Sequence, residues 1–175
     1  MKPLILYIAT SLDGYIARKN GAVDWLPEGE EGDDYGYQAF YDGIDTVLMG
    51  NKTYQQLLSF GVEYPYKGTE GFIFTRNMEL TRDENVTYIQ EDIVEFTQKL
   101  KQGEGKGIWL IGGGEIIKIL LEADLVDELI IFEMPVLLGN GIPLFPESKK
   151  EIKLKLEESK TYSGGIVELK YKTLG

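Results

Sequence analysis

Leu4 to Thr10 is a continuously apolar run, and Thr46 to Met49, Gly71 to Thr75, Gly107 to Ile111 and Leu129 to Met134 are further short, mostly apolar runs that read as strands. A strand that is apolar at every position is buried on both faces, and sheets covered on both faces are mostly parallel. Helical spacing fills the gaps between these runs. Tyr37, Phe40 and Tyr41 predict a short helix over 34–42, and a second helix over 53–59 stops near Gly61. Ile93, Phe96 and Leu100 share one face of a helix over 91–102, with Glu91 and Asp92 at its start and Lys99 and Lys101 at its end. Ile116, Ile117, Leu120 and Leu121 mark another helix after Gly112-Gly113-Gly114. Val86 to Ile89 reads as a further short strand, and 152–162 with 166–173 as a hairpin turning through Ser163-Gly164-Gly165. This alternation predicts an α/β fold: a central mixed, mainly parallel sheet flanked by helices, ending in an antiparallel C-terminal hairpin. A length of 175 residues fits one domain over 1–175.

Composition narrows the chemistry. The chain has no Cys and no His, which removes thiol catalysis, disulfides, the Ser-His-Asp triad and the commonest metal ligand. Its formal net charge of −11 opposes phosphate backbones and anionic lipid, so neither nucleic acid nor a membrane surface is expected as a partner. No apolar run approaches the ~20 residues of a membrane span, and the expected location is the cytoplasm. The acidic run Glu28, Glu30, Glu31, Asp33 and Asp34 lacks the spacing of a Ca²⁺ loop and reads as solvated loop, so no metal is expected. Gly103 to Gly107 precedes a strand and reads as a connection.

Three strands end alike, in a polar or glycine-rich turn: Met49-Gly50-Asn51-Lys52-Thr53, Phe74-Thr75-Arg76-Asn77 and Ile111-Gly112-Gly113-Gly114-Glu115. In a parallel sheet such turns gather at the carboxyl ends of the strands, where ligands bind. The third also opens a helix, so its glycines let backbone approach a pyrophosphate beside free helix N–H groups; they equally suit tight strand-to-helix packing. It is not the G-x-G-x-x-G fingerprint. Lys52 and Arg76 suit a phosphate monoester such as the 2′-phosphate of NADPH, or are ordinary solvated side chains.

A second group lies around the end of the first strand: Ala9, Ser11, Leu12, Asp13 and Ile16, then Trp25 and the Tyr37 helix. Aromatics there can stack a planar heterocycle or simply form core. Asp13 and Asp34 are the carboxylates best placed to hold a ring N–H or relay a proton, and each equally suits a turn or a helix cap.

The segments Ser11-Leu12-Asp13-Gly14-Tyr15-Ile16-Ala17, Val47-Leu48-Met49-Gly50-Asn51-Lys52-Thr53-Tyr54, Trp109-Leu110-Ile111-Gly112-Gly113-Gly114, Leu125-Val126-Asp127-Glu128-Leu129 and Pro135 to Phe145 occur in one order over nearly the whole chain. Together they resemble the dihydrofolate reductase superfamily, most closely its riboflavin-pathway branch, the C-terminal reductase domain of the bifunctional deaminase-reductase. The resemblance implies a mixed sheet of eight or nine strands, with NADPH across the carboxyl ends of the central ones. It places Gly50, Lys52 and Thr53 by the phosphates, with Asn51 where folate enzymes often carry a basic residue. Thr75 and Arg76 fall near the adenosine phosphate, and Gly112, Gly113, Gly114, Glu115 and Ile116 by the pyrophosphate and nicotinamide. Ala9 and Ile16 fall on the nicotinamide side, Leu12, Asp13, Trp25 and Tyr37 by the substrate, and Asp34 where the folate enzymes hold their substrate acid. The implied activity is hydride transfer to a small heterocyclic or ribosylated compound, as in 5-amino-6-(5-phosphoribosylamino)uracil reduction. Pterin reduction and a non-catalytic nucleotide-binding module are the alternatives, and a homodimer is the expected assembly.

Overall fold

In a computed structural model of the chain, residues 1–28 and 33–175 are described. Glu30 and Glu31 of the acidic run lie outside them. Eight strands form one sheet: β1 (Leu4–Ser11), β3 (Ile44–Gly50), β4 (Glu70–Phe74), β5 (Val86–Ile89), β6 (Gly107–Gly112), β7 (Glu128–Met134), β9 (Leu154–Thr161) and β10 (Val167–Thr173). Their order is β5-β4-β3-β6-β1-β7-β10-β9. The six strands from β5 to β7 run parallel, and β10 and β9 close the sheet antiparallel. This is the predicted architecture, hairpin included.

Four helices cover the sheet: α1 (Tyr37–Asp42), α2 (Asn51–Ser59), α3 (Ile93–Gln102) and α4 (Gly114–Glu122). Because side chains alternate along a strand, each central strand feeds two cores. On one face Leu6, Leu48, Leu110 and Leu129 pack with Ile117 and Leu120 of α4 and with Phe96 and Leu100 of α3. On the other, Val47, Met49, Ile73 and Trp109 meet Tyr54 of α2 and Tyr37 and Phe40 of α1. Ile130, Phe132 and Met134 extend that second face toward Ile166.

Some helix starts differ from the predicted ones, and capping explains two of them. Helix α1 begins three residues late because Asp34 accepts from the Gly36 and Gln38 amides ahead of it (2.9 Å each). Helix α3 begins after Asp92, whose carboxylate accepts from Val94 and Glu95. Helix α2 starts two residues early, directly after Gly50.

A second, two-stranded sheet pairs β2 (Tyr15–Ala17) with β8 (Ile142–Pro143). It lays the 135–145 segment over the end of β1. Gly141 sits at φ 158° with its α-carbon against the Ala17 carbonyl, so a β-carbon there would overlap backbone.

The opposite end of β1 is clamped by a buried cation. Lys101, at the end of α3, donates to the Leu125 carbonyl (2.5 Å) and to Asp127, which also accepts from the Leu4 amide (2.6 Å). Among the described residues no helix is long and apolar enough to cross a membrane.

Candidate active site

The rim where β4, β3 and β6 end is built from two helix starts. Gly50 lies opposite Phe74, and Met49 opposite Gly112, so the three carboxyl ends stand side by side. Helices α2 and α4 begin there after Gly50 and Gly113, and neither start receives a side-chain cap. In α1 and α3, by contrast, an Asp carboxylate accepts from first-turn amides: Asp34 from Gln38, and Asp92 from Val94 and Glu95. First-turn N–H groups without a cap keep their positive potential for an external anion.

The two starts nearly touch. A β-carbon on Gly50 would meet Ile116 at 3.2 Å, and one on Gly113 would meet Thr53 Oγ1 at 3.3 Å. Gly112 has φ 145°, which favours glycine, and a β-carbon on it would find only Thr53 Oγ1, at 3.9 Å. The space a β-carbon would take there is therefore unfilled, although Gly112 itself is buried. The Gly112–Gly113 peptide is cis.

Lys52 lies in the first turn of α2 and Arg76 two residues past β4, both exposed. Among the described residues neither side chain has an ion pair or hydrogen bond. Asn51 starts α2, and its Oδ1 accepts from Gln55 (3.3 Å). Thr75 turns the chain by accepting the Asn77 amide (3.1 Å), and Glu115 stands exposed in the first turn of α4. The donor set fits a dinucleotide: two uncapped helix starts, a glycine turn between them and two unpaired cations on adjacent strand ends.

Beside this rim, on the α1 face, lies a cavity of about 400 Å³. Its floor is Tyr7 and Ala9 of β1, Trp109 and Ile111 of β6, and Phe132 and Met134 of β7; its far wall includes Leu26, Asp34 and Tyr37. The floor is three i, i+2 pairs on neighbouring strands, so each pair presents one face of the sheet. Tyr7 stacks on Phe40 with centroids 4.0 Å apart and meets Trp109 edge-on at 5.7 Å.

Of the residues anticipated at the substrate, Tyr37 and Asp34 line this cavity, as does Ala9 from the nicotinamide side. Trp25 packs against the adjoining core, while Ile16 packs on the opposite face of the sheet. Leu12 and Asp13 stand outside the cavity, exposed. Sequence reasoning missed Tyr7, Trp109, Ile111, Phe132 and Met134 as lining residues. Their signal was the i, i+2 spacing, hidden inside runs that are apolar throughout.

The cavity holds protonated hydroxyls and an ionised carboxylate. Burial first, then the negative field of Glu168 and neighbouring groups including Asp34, pushes the Tyr7 hydroxyl well above its ordinary value. Burial does the same to Tyr37. The amides of Gln38 and Gly36 hold the Asp34 carboxyl below the usual range. Asp34 therefore enters neutral solution as an anion and a cap, a poor proton donor.

Asp13 acts as a clasp. Its carboxylate accepts from the Ser11 hydroxyl (2.6 Å) and from the Leu138 and Gly139 amides (3.1 and 2.8 Å), tying the β1–β2 loop to the segment before β8. The Ser11 hydroxyl, followed by those two amides, holds the Asp13 carboxyl below its ordinary range. A lowered folded pKa stabilises the clasp above the unfolded value of about 3.9 and loses that contribution as pH falls through the folded value. Asp13→Ala is expected to raise hydrogen-exchange rates at Leu138 and Gly139 by about tenfold at neutral pH. In the unsubstituted protein the same protection should persist at pH 5 and fade only under strongly acidic conditions. Unchanged protection in the variant would remove the clasp from the account.

Comparison with known proteins places this geometry. The RibD C-terminal domain family matches residues 66–168. The protein YwjB of Bacillus subtilis (strain 168), whose function is uncharacterised, is 43% identical over 167 residues, covering 95% of each chain. A Shewanella sp. PV-4 protein assigned to riboflavin biosynthesis has a crystal structure that matches with a TM-score of 0.87, 31% identity and 99% coverage of both chains. Dihydrofolate reductase from Enterococcus faecalis, complexed with NADP(H) and RAB-propyl, matches with a TM-score of 0.73 at 17% identity, over 99% of this chain and 97% of its own. That likeness establishes the dihydrofolate reductase-like fold.

Proposed function

The chain belongs to the RibD C-terminal domain family, and on that premise we propose that it is a single-domain, NADPH-dependent reductase of a small heterocyclic compound. The observation that carries this reading is the pairing of the anion-ready rim with the aromatic cavity beside it. The uncapped starts of α2 and α4, with the Gly112 to Gly114 backbone, would hold the pyrophosphate. Lys52 and Arg76 would meet the adenosine phosphate, and Ala9 would border the nicotinamide. When bound, the cofactor supplies a hydride, which passes with its electron pair to an acceptor carbon. Water or a cavity hydroxyl supplies the proton that balances it; Tyr7 is the protonated group that lines the floor. The protein's own work is to position the acceptor and exclude bulk water. Ribosylated aminopyrimidines and pterins are the two substrate classes to which the family and fold direct attention. The edge strand β9, exposed along its whole length, offers a backbone edge through which we expect two copies to pair.

The direct test is thermal. NADPH at 100 times its dissociation constant should add about 2.7 kcal/mol. For a domain of this size that raises Tm by about 5–10 °C. Loss of NADPH absorbance with a panel of pterins and aminopyrimidines then reads out turnover. No shift with millimolar NADPH or NADH would remove the reductase reading.

A further inference from the structure

A second cavity, of about 210 Å³, opens on the opposite face of the sheet, beside α4. It shares no lining residue with the α1-face cavity. Leu121 of α4 and Leu129 of β7 are its buried apolar lining, and Phe145 and Leu154 stand exposed at its mouth. The chain after β8 forms the outer wall and is braced against the end of α4. Ser148 donates its hydroxyl to the Glu122 carboxylate (2.5 Å). Lys150 donates to the Glu122 carbonyl (2.8 Å) and pairs with Asp124 (2.6 Å).

Three charged groups line this cavity: Lys118, Glu122 and Lys150. Glu122 and Lys150 are engaged by the brace. Lys118 is not: it is half-buried, and among the described residues its side chain has no ion pair or hydrogen bond. It stands one turn before Glu122 on the same face of α4. A half-buried ammonium without a counter-ion, set in an apolar lining, is a receptor for an anion. Glu122 opposes a second negative charge, so a single carboxylate suits the lining better than a phosphate dianion or a dicarboxylate. Size sets the rest. A dry cavity of about 150 Å³ lined by Leu, Ile and Phe binds benzene, and 210 Å³ has room for one such ring with a short acid arm. We propose that this cavity is a second small-molecule site, which takes an apolar monocarboxylate. Its hydrocarbon part lies against Leu121 and Leu129, and its carboxylate meets Lys118. The site stands apart from the cofactor rim and needs no cofactor to form.

Three probes share one ring and differ in charge: 3-phenylpropanoate, 3-phenylpropanamide and 3-phenylpropylamine. Each is titrated at low salt into the cofactor-free protein, labelled with ¹³C at its methyl groups. The carboxylate should shift the methyl signals of Leu121, Leu129 and Leu154 and leave those of Ile111, in the α1-face cavity, in place. It should bind at least about tenfold tighter than the amine, with the amide between them, and the gap should narrow at high ionic strength. Lys118→Met should bring the carboxylate down to the affinity of the amide and leave the amide unchanged, a split that a merely disturbed helix would not give. Glu122→Gln, which keeps an acceptor for Ser148, should strengthen the carboxylate several-fold. Amine binding as tight as that of the carboxylate overturns the proposal, as do methyl shifts confined to Ile111. The absence of saturable shifts with millimolar 3-phenylpropanoate overturns it too, including the case in which a second copy of the chain covers the cavity mouth.

Discussion

Replacing Lys52 and Arg76 together with Ala is expected to weaken NADPH binding about a hundredfold while leaving NADH within a few-fold of its starting affinity. A hydrogen bond to a charged group contributes about 1.5–3 kcal/mol, and each 1.4 kcal/mol is tenfold in affinity. Both side chains are exposed, so the lower end applies and each single substitution should cost about tenfold. NADH lacks the 2′-phosphate and has nothing for these cations to lose. Folding stability should not change, because neither side chain has an ion pair or hydrogen bond to lose among the described residues. Calorimetric titration at fixed ionic strength reads the effect. Equal losses for the two dinucleotides would move the cations to the pyrophosphate. No loss for either would take the cofactor away from this rim.

The second large effect concerns stability at the other end of the sheet. Lys101→Met should lower Tm by about 5–10 °C. The Lys101 ammonium is nearly buried, with a side chain 9% exposed, and it serves both the Leu125 carbonyl and Asp127. Breaking a fully buried pair from one side costs about 3–5 kcal/mol, but the Asp127 side chain is 45% exposed and water can recover part of the loss. About 2–3 kcal/mol remains. Asp127 keeps the Leu4 amide, so the strand start should loosen without detaching. Cofactor affinity should be preserved, since the rim lies at the opposite ends of the strands. A melting curve that matches the unsubstituted protein would show that the clamp is replaceable.

The fold was legible because its signal is local and repeated. Strands such as Val47 to Met49 and Ile108 to Leu110 are apolar at every position, and each is followed by a helix with one apolar face. The rim was legible for a related reason: Gly50 and Gly112 to Gly114 occupy the strand-to-helix turns, where their placement in space follows from parallel topology alone. The cavity was only half legible. Full burial on both faces conceals which alternate residues, Tyr7 and Ala9 or Leu6 and Ile8, look toward α1. The clasp was not legible, because Asp13 meets Leu138 and Gly139 across most of the chain's length. Nor were β2 and β8, which have three and two residues and too little pattern to announce a strand. Asp34, offered by the sequence either as a turn or cap residue or as a carboxylate for a ring N–H, accepts the Gln38 amide and also lines the cavity.

The central position of β1 has a consequence for biosynthesis. This strand is made before every other strand of the sheet, yet its neighbours are β6 and β7, with Leu4 set against Ile108 and Ser11 against Met134. At about 5–20 residues per second, the nascent chain waits about 6–25 s before both flanks exist. Throughout that interval a segment apolar on two sides has no place to go within its own polypeptide. Truncation anywhere before β7 should therefore yield a product that is held by chaperones or precipitates, and never a smaller working unit.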